Sequence, residues 1–318
     1  MFPLLGYSVS VACLIWVYHG FDWERELPKL VSIRWHWVTL AICADIAVYI
    51  CQGLRWSVLL SPLAKVRAWK SIQAIYIGLF ANEVLPFRSG EVIRCYLLSR
   101  WTGIRVPVVI TSAAIERMLD GFWLVLGLWI AGRYVQLPRY LTVGGKVLLF
   151  VLLIASVLML LAVLHKPAAR EAAARSRWSS FLVSLVDGVH LMGGATSFLG
   201  AAVLSLGYLA LQVLPIYFLI RGYGMDLSPW AATVVLIVLR LGTVIPQAPG
   251  NVGSFQALTI VGLRLFGVDR GDATGFATVL FLVITMPLWM AGFVALLATK
   301  MRLNQIHRAA EATVQAEE

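Results

Sequence analysis

The sequence predicts an all-α integral membrane protein: a polytopic helix bundle with two re-entrant broken-helix hairpins in an inverted-repeat arrangement. Three observations carry that prediction. Of 318 residues, 60% are hydrophobic and 13% charged, with a mean hydropathy of +0.84, whereas soluble domains are about 25% charged. Apolar stretches of the length needed to cross a bilayer recur along the chain. Two further apolar stretches are broken at their middles, at "LPFRSG" and "IPQAPGNVG". Residues 1–318 are therefore expected to form a single transmembrane domain.

The elements follow in order. Segment 2–19 lacks a basic n-region and a small-x-small cleavage site, so it is expected to stay as a helix. Segment 20–36 holds "DWEREL", whose acids balance the bases of the segment, Arg25, Lys29 and Arg34. Full spans are expected at 2–19, 37–60, 107–131, 147–165, 198–220 and 273–299. Between them, 71–98 and 229–268 are hydrophobic but interrupted by Pro and Gly, so neither reads as one helix. Segment 179–197 reads either as an interfacial helix or as the start of the next span, with Asp187 and His190 a wet surface pair.

Charge orients the spans. The loop with Lys65, Arg67 and Lys70, the link 166–178 and the tail 300–318 are basic and are expected in the cytoplasm. That arrangement works only if 71–98 and 229–268 each enter and leave on one side. Arg133, Arg139 and Lys146 then face outward, against the rule. Two units result, about 37–131 and about 198–299, of opposite orientation and each with a broken hairpin. Such inverted repeats with broken helices point to a transport site near the midplane. The spacing agrees: Pro86 and Gly90 are four apart, as are Pro246 and Gly250, and Pro249 and Gly253.

Several classes are disfavoured. The net charge of +10 reads as topology and lipid contact, and no basic run interleaved with aromatics suggests nucleic acid. The four cysteines form no C-x-x-C, and the five histidines form no H-E-x-x-H, so neither a cofactor nor a metal is expected. No G-x-x-x-x-G-K-[ST] loop is present.

The candidate site starts at the first break. Pro86 fixes φ, Gly90 permits close backbone approach, and Glu91 suits a helix start. Arg94 lies three residues on and shares a face with Glu91. Arg88, in the break beside Asn82 and Glu83, is suited to a phosphate oxygen pair; its alternative role is to snorkel to the interface. Deep in the span 107–131 stand Glu116, Arg117 and Asp120. The two acids lie one turn apart and need cations from elsewhere, for which Arg55, Arg88 and Arg94 are candidates. Glu116 and Asp120 either fix the hairpin structurally or protonate during transport. Asp45 and Arg55, ten apart on one span, do not share a face; the alternative role of Arg55, near the cytoplasmic end, is to snorkel. At the second break, Arg240, Gln247, Asn251 and Gln256 surround the Pro249–Gly250 and Gly253 turns.

Three motifs together resemble the lysylphosphatidylglycerol synthase transmembrane-region family, also called flippase-like. They are "NEVLPFRSGEVIRCYLL", "AAIERMLD" and "IPQAPGNVGSFQ". The first family pattern is matched by Asn82, Pro86, Arg88, Gly90, Glu91 and Arg94, and the second by Glu116, Arg117 and Asp120. The third is matched by Pro246, Pro249, Gly250 and Gly253, with Asn251 for the usual Gly and Gln256 for the usual Glu. The chain is similar to the flippase half of the multiple peptide resistance factor. The resemblance implies lipid handling, with a headgroup moved through a cavity at re-entrant helices. With only 301–318 after the last span, no synthase domain is expected here. The expected function is thus a lipid flippase or transporter for an anionic, phosphate-bearing headgroup, not an enzyme. It is expected in the bacterial inner membrane with cytoplasmic termini, with lipid-biosynthetic enzymes as possible partners. The alternatives are a membrane-embedded transferase and a non-transporting, lipid-holding scaffold.

Overall fold

The computed structural model describes residues 2–85, 89–164, 187–188, 192, 195–242, 248–299 and 308. Expectations for Pro86, Arg88, Pro246, Gln247, His190, the link 166–178, the tail 300–318 apart from position 308, and most of 179–197 lie outside the described residues. The chain forms α1 (Phe2–Tyr18), α2 (Trp23–Val31), α3 (Trp35–Leu60), α4 (Ala68–Val84), α5 (Gly90–Thr102) and α6 (Val106–Tyr134). It continues through α7 (Arg139–Leu164), α8 (Ala195–Gly222), α9 (Pro229–Gly242), α10 (Ser254–Arg264) and α11 (Arg270–Leu297), with a 3₁₀ turn at Pro249–Asn251. No strand occurs among the described residues. This is an all-α, polytopic membrane architecture. Helices α3, α7, α8 and α11 are long and apolar enough to cross a membrane. Helix α6 is longer, at 29 residues, and carries Glu116, Arg117 and Asp120 within it.

Local chemistry sets the boundaries. Asp22 caps α2 by accepting from the Arg25 N–H, and Asp269 caps α11 by accepting from Gly271 at 3.0 Å. Gly103 ends α5 in the left-handed conformation, φ 75°, with its N–H on the Ser99 carbonyl. Helix α7 begins at Arg139, earlier than the expected 147, because Pro138 supplies a fixed start and its carbonyl accepts from Leu141. Gly145, inside that added turn, lets α7 approach Leu128 of α6 more closely than a β-carbon would permit.

Helices α4 and α5 form an antiparallel hairpin. Lys70 reaches the Trp101 carbonyl at one end, Gly78 meets Arg94 midway, and Asn82 meets Gly90 at the tip. Helices α9 and α10 form a second: Gly242 abuts Leu258 and Val235 abuts Gly262. Helices of 17, 13, 14 and 11 residues are all shorter than the roughly 20-residue span of a bilayer. Helices α3 and α8 run antiparallel along each other, tied by Trp37 against Phe218, Cys51 against the Leu204 carbonyl and Ser61 against Ser197.

The connections sort to two ends of the bundle. At one end, Arg34 N–H donates to the Gly222 carbonyl at 3.1 Å, Tyr134 stacks on Trp230, and Lys29 bridges Glu26 and Asp272. The hydrogen bond to Asp272 holds the Lys29 ammonium above the ordinary lysine range; burial opposes it, and the hydrogen bond to Glu26 adds to it. At the other end lie the loop 61–67, the α5–α6 turn and the end of α11, where Gln73 donates to the Ala295 carbonyl. The α4–α5 hairpin therefore starts and finishes at the second end, and α9–α10 at the first. Each has its own apolar core: Trp56, Ile75, Ile93, Leu97 and Ile115 around the first, and Ile216, Val235, Ile260, Phe276 and Leu280 around the second.

Candidate functional site

The first hairpin closes through glycine. A methyl at Gly90 would collide with the Gly78 carbonyl, and one at Gly78 with Arg94, so the two helices touch backbone to backbone. Asn82 then reaches across the tip: its Oδ1 accepts from the Gly90 N–H at 2.8 Å. That satisfies one of the four donors left unpaired where α5 begins. Asn82 is thus a cap supplied from the opposite strand of the hairpin.

Behind the hairpin, six charged side chains alternate in sign. Asp120 pairs with Arg55; Arg55 Nε donates to Glu116 Oε1 at 3.1 Å. Glu116 Oε2 accepts from Arg94 Nη1 at 3.1 Å, Arg94 Nε donates to Glu91 Oε2 at 2.9 Å, and Glu91 pairs with Arg117. The run Asp120–Arg55–Glu116–Arg94–Glu91–Arg117 joins α3, α5 and α6 and sums to zero charge. Arg55, Arg94 and Glu116 are 0%, 2% and 1% exposed, so Arg55 does not snorkel. Arg94 sits 4.7 Å over the Trp56 ring and Arg55 4.6 Å over Tyr208, each an added cation–π attraction. Trp56 is itself fixed by donating to Ser112 Oγ at 2.8 Å.

The second break reverses the chain with Gly250 (φ 74°), Asn251 (φ 52°) and Gly253 (φ 84°), all left-handed positions that glycine and asparagine tolerate best. Gly253 N–H donates to Gln256 Oε1 at 2.8 Å, so Gln256 caps α10 locally. Helix α1 covers this turn. Ser10 Oγ accepts from the Ala248 N–H at 3.1 Å, and a methyl at Gly253 would strike the Ser10 carbonyl. Pro249 opens the 3₁₀ turn.

The two breaks meet. The Glu83 carboxylate lies against Gly250, and beside that contact opens a cavity of about 490 Å³. Its polar lining comes from Asp45 and Tyr49 on α3, Asn82 and Glu83 on α4, Glu91 and Arg117 on α5 and α6, Gln212 on α8, Arg240 on α9, and Asn251. Arg240 donates to Gln212 Oε1. Leu79, Ile216, Leu236, Phe255, Leu258, Phe281 and Leu288 supply the apolar wall. Of the charged residues singled out by sequence, Asp45, Glu83, Glu91, Arg117 and Arg240 face the cavity. Arg55, Arg94, Glu116 and Asp120 stand behind it as the charge run. Gly90, Pro249, Gly253 and Gln256 shape the two turns. Sequence reasoning did not select Tyr49, Gln212 or Pro215, although a lone Gln and a Pro inside the apolar stretch 198–220 are visible signals. Among the described residues, no three His, Cys, Asp or Glu side chains gather to hold a metal ion.

Comparison with known proteins agrees with this architecture. Residues 4–292 match the family described as the lysylphosphatidylglycerol synthase TM region. A UPF0104 membrane protein from Methanothermobacter thermautotrophicus is 24% identical over 299 residues, covering 87% of this chain and 86% of that protein. Another UPF0104 membrane protein, from Methanocaldococcus jannaschii, is 28% identical over 136 residues, 42% of this chain and 40% of that one. No solved structure matches. The chain belongs to the lysylphosphatidylglycerol synthase transmembrane-region family.

Proposed function

From that membership, we propose that the protein binds phosphate-bearing membrane lipids and carries their headgroups between leaflets through the central cavity. The observation that carries this reading is the meeting of two broken hairpins, entering from opposite ends, at one polar cavity inside an apolar bundle. Lipid tails can remain in hydrocarbon while a headgroup, costly to bury alone, is solvated by side chains. Arg117 and Arg240 offer guanidinium donors to phosphate oxygens, while Asn82, Asn251 and Gln212 offer neutral donors and acceptors. In this reading Arg88 adds a third guanidinium from the first break.

The hairpins are re-entrant and the units 37–131 and 198–299 are inverted repeats. The packing supports this, because the helix contacts within and between the two units have counterparts under their exchange. Helix α4 lies on α11 as α9 lies on α6, α4 pairs with α5 as α9 with α10, and α3 and α8 face each other antiparallel. The protein sits in the cytoplasmic membrane with both termini inside. One end of the bundle carries Lys65, Arg67, Lys70, Arg100 and Arg105, while the other mixes Asp22, Glu24, Glu26 and Asp269 with its bases, the asymmetry expected of a cytoplasmic face.

The test is lipid movement in proteoliposomes carrying a fluorescent phosphatidylglycerol analogue, with chemical quenching of the outer leaflet. The wild type is expected to expose inner-leaflet lipid to quencher, and Arg240→Ala and Arg88→Ala are each expected to slow this at least tenfold. Movement unaffected by either variant would sink the headgroup assignment. A wild type that moves none of a panel of phospholipids would favour a lipid-holding scaffold or a transferase.

A further inference from the structure

Three carboxylates at or behind the cavity meet guanidiniums. Glu91 and Glu116 have two each, and Asp120 has Arg55. Asp45 has none. It lies on α3 at 4% exposure, lines the cavity, and its Oδ2 is enclosed without a hydrogen-bond partner among the described residues. The titratable groups facing this space are Tyr49 on its own helix, Tyr76 and Glu83 on α4, Glu91 on α5, Arg117 on α6 and Arg240 on α9. The two guanidiniums among them are directed elsewhere, Arg117 to Glu91 and Arg240 to Gln212. Glu83 and Glu91 add like charge to the same space. Burying an unpaired carboxylate costs far more than burying its neutral acid.

We propose that Asp45 is a proton-binding site: it carries a proton at neutral pH and exchanges it with water through the central cavity. The step balances: the Asp45 carboxylate accepts a proton delivered from solvent through the cavity, and the neutral acid releases that proton by the same route as it ionises. Ionisation becomes favourable only when a positive group enters beside it, or when Arg240 leaves Gln212. The occupancy of the cavity and the protonation of Asp45 are then linked, and by reciprocity each biases the other. This separates Asp45 from Glu116 and Asp120, whose carboxylates pair with Arg55 and Arg94. Its meaning for transport rests on the lipid-translocation reading, but its existence does not.

The experiment is infrared spectroscopy of the full chain in lipid nanodiscs, with no lipid movement required. At neutral pH the wild type is expected to show a carboxylic-acid carbonyl band that shifts in D₂O and is absent from Asp45→Asn. Should Asp45→Asn fail to fold, wild-type protein labelled with ¹³C-aspartate assigns the band, and Asp45→Glu is expected to move it out of the labelled set. Identical spectra for wild type and Asp45→Asn, or a band insensitive to ¹³C-aspartate, would show Asp45 ionised and overturn the proposal. A band that persists unshifted in D₂O would overturn it equally, because the site would be sealed from the cavity.

Discussion

At the scale of single residues, Glu116 bears the greatest consequence. It is the carboxylate between Arg55 and Arg94, both fully enclosed. Removing one partner from a buried pair leaves charge uncompensated and costs about 3–5 kcal/mol. Glu116→Ala is therefore expected to lower unfolding stability in detergent by about that amount, and combining it with Arg94→Gln is expected to cost less than the sum of the two. Strict additivity in that cycle would show the pair uncoupled. Much of this was legible beforehand, because Glu116 and Asp120, one turn apart, require cations from other helices. What no pattern in one sequence conveys is which of three arginines arrives, since that depends on how α3 and α5 pack against α6. The two departures at the second break also acquire a reason at this scale. Asn251 stands where the family pattern has Gly, and at φ 52° it occupies a conformation asparagine accepts. Gln256 stands where the pattern has Glu, and an amide oxygen receives the Gly253 N–H as a carboxylate would. Neither departure removes the turn.

At the scale of elements, the hairpins depend on missing β-carbons. Gly78 and Gly90 bring α4 and α5 into backbone contact, so Gly90→Ala is expected to overpack the tip and destabilise by about 1–3 kcal/mol. Gly253→Ala adds unfavourable φ to a collision with the Ser10 carbonyl. For each variant, the thermal transition in detergent compared with an exposed-site control such as Gly207→Ala checks the expectation. Unchanged stability would mean that the hairpins tolerate separation. The breaks at Pro86–Gly90 and Pro249–Gly253 were readable as punctuation in apolar runs. The clasp of α1 over the second break was not, because Ser10 and Leu14 are ordinary residues in an apolar helix and only their register against Gly253 gives them a role. Likewise the early start of α7 lay hidden behind Lys146, whose charge obscured a helix start set by Pro138.

At the scale of the whole molecule, the separation of its connections into two ends makes orientation measurable. In a background without Cys13, Cys43, Cys51 and Cys95, Trp69→Cys and Trp23→Cys occupy exposed positions at opposite ends. A membrane-impermeant maleimide added to intact cells is expected to label Trp23→Cys and to reach Trp69→Cys only after lysis. Labelling of both from outside would overturn the orientation. The composition made the bilayer legible at once, and charge bias made the two-ended plan legible. The meeting of both breaks at Glu83 and Gly250 was not, because it is a contact between residues 167 apart in sequence with no charge pair to announce it.

The alternating charge run also constrains how the chain enters the bilayer during synthesis. Arg55 emerges from the ribosome 61 residues before Glu116, and Arg94 emerges 22 residues before it. A lone charge at the membrane centre costs about 2.5–3.5 kcal/mol on insertion scales. Helix α3, carrying both Asp45 and Arg55, therefore gains its full electrostatic reason to stay only once α6 arrives. The first half of the protein is therefore expected to integrate as a group, since α3 and the hairpin gain their charge partner only with α6.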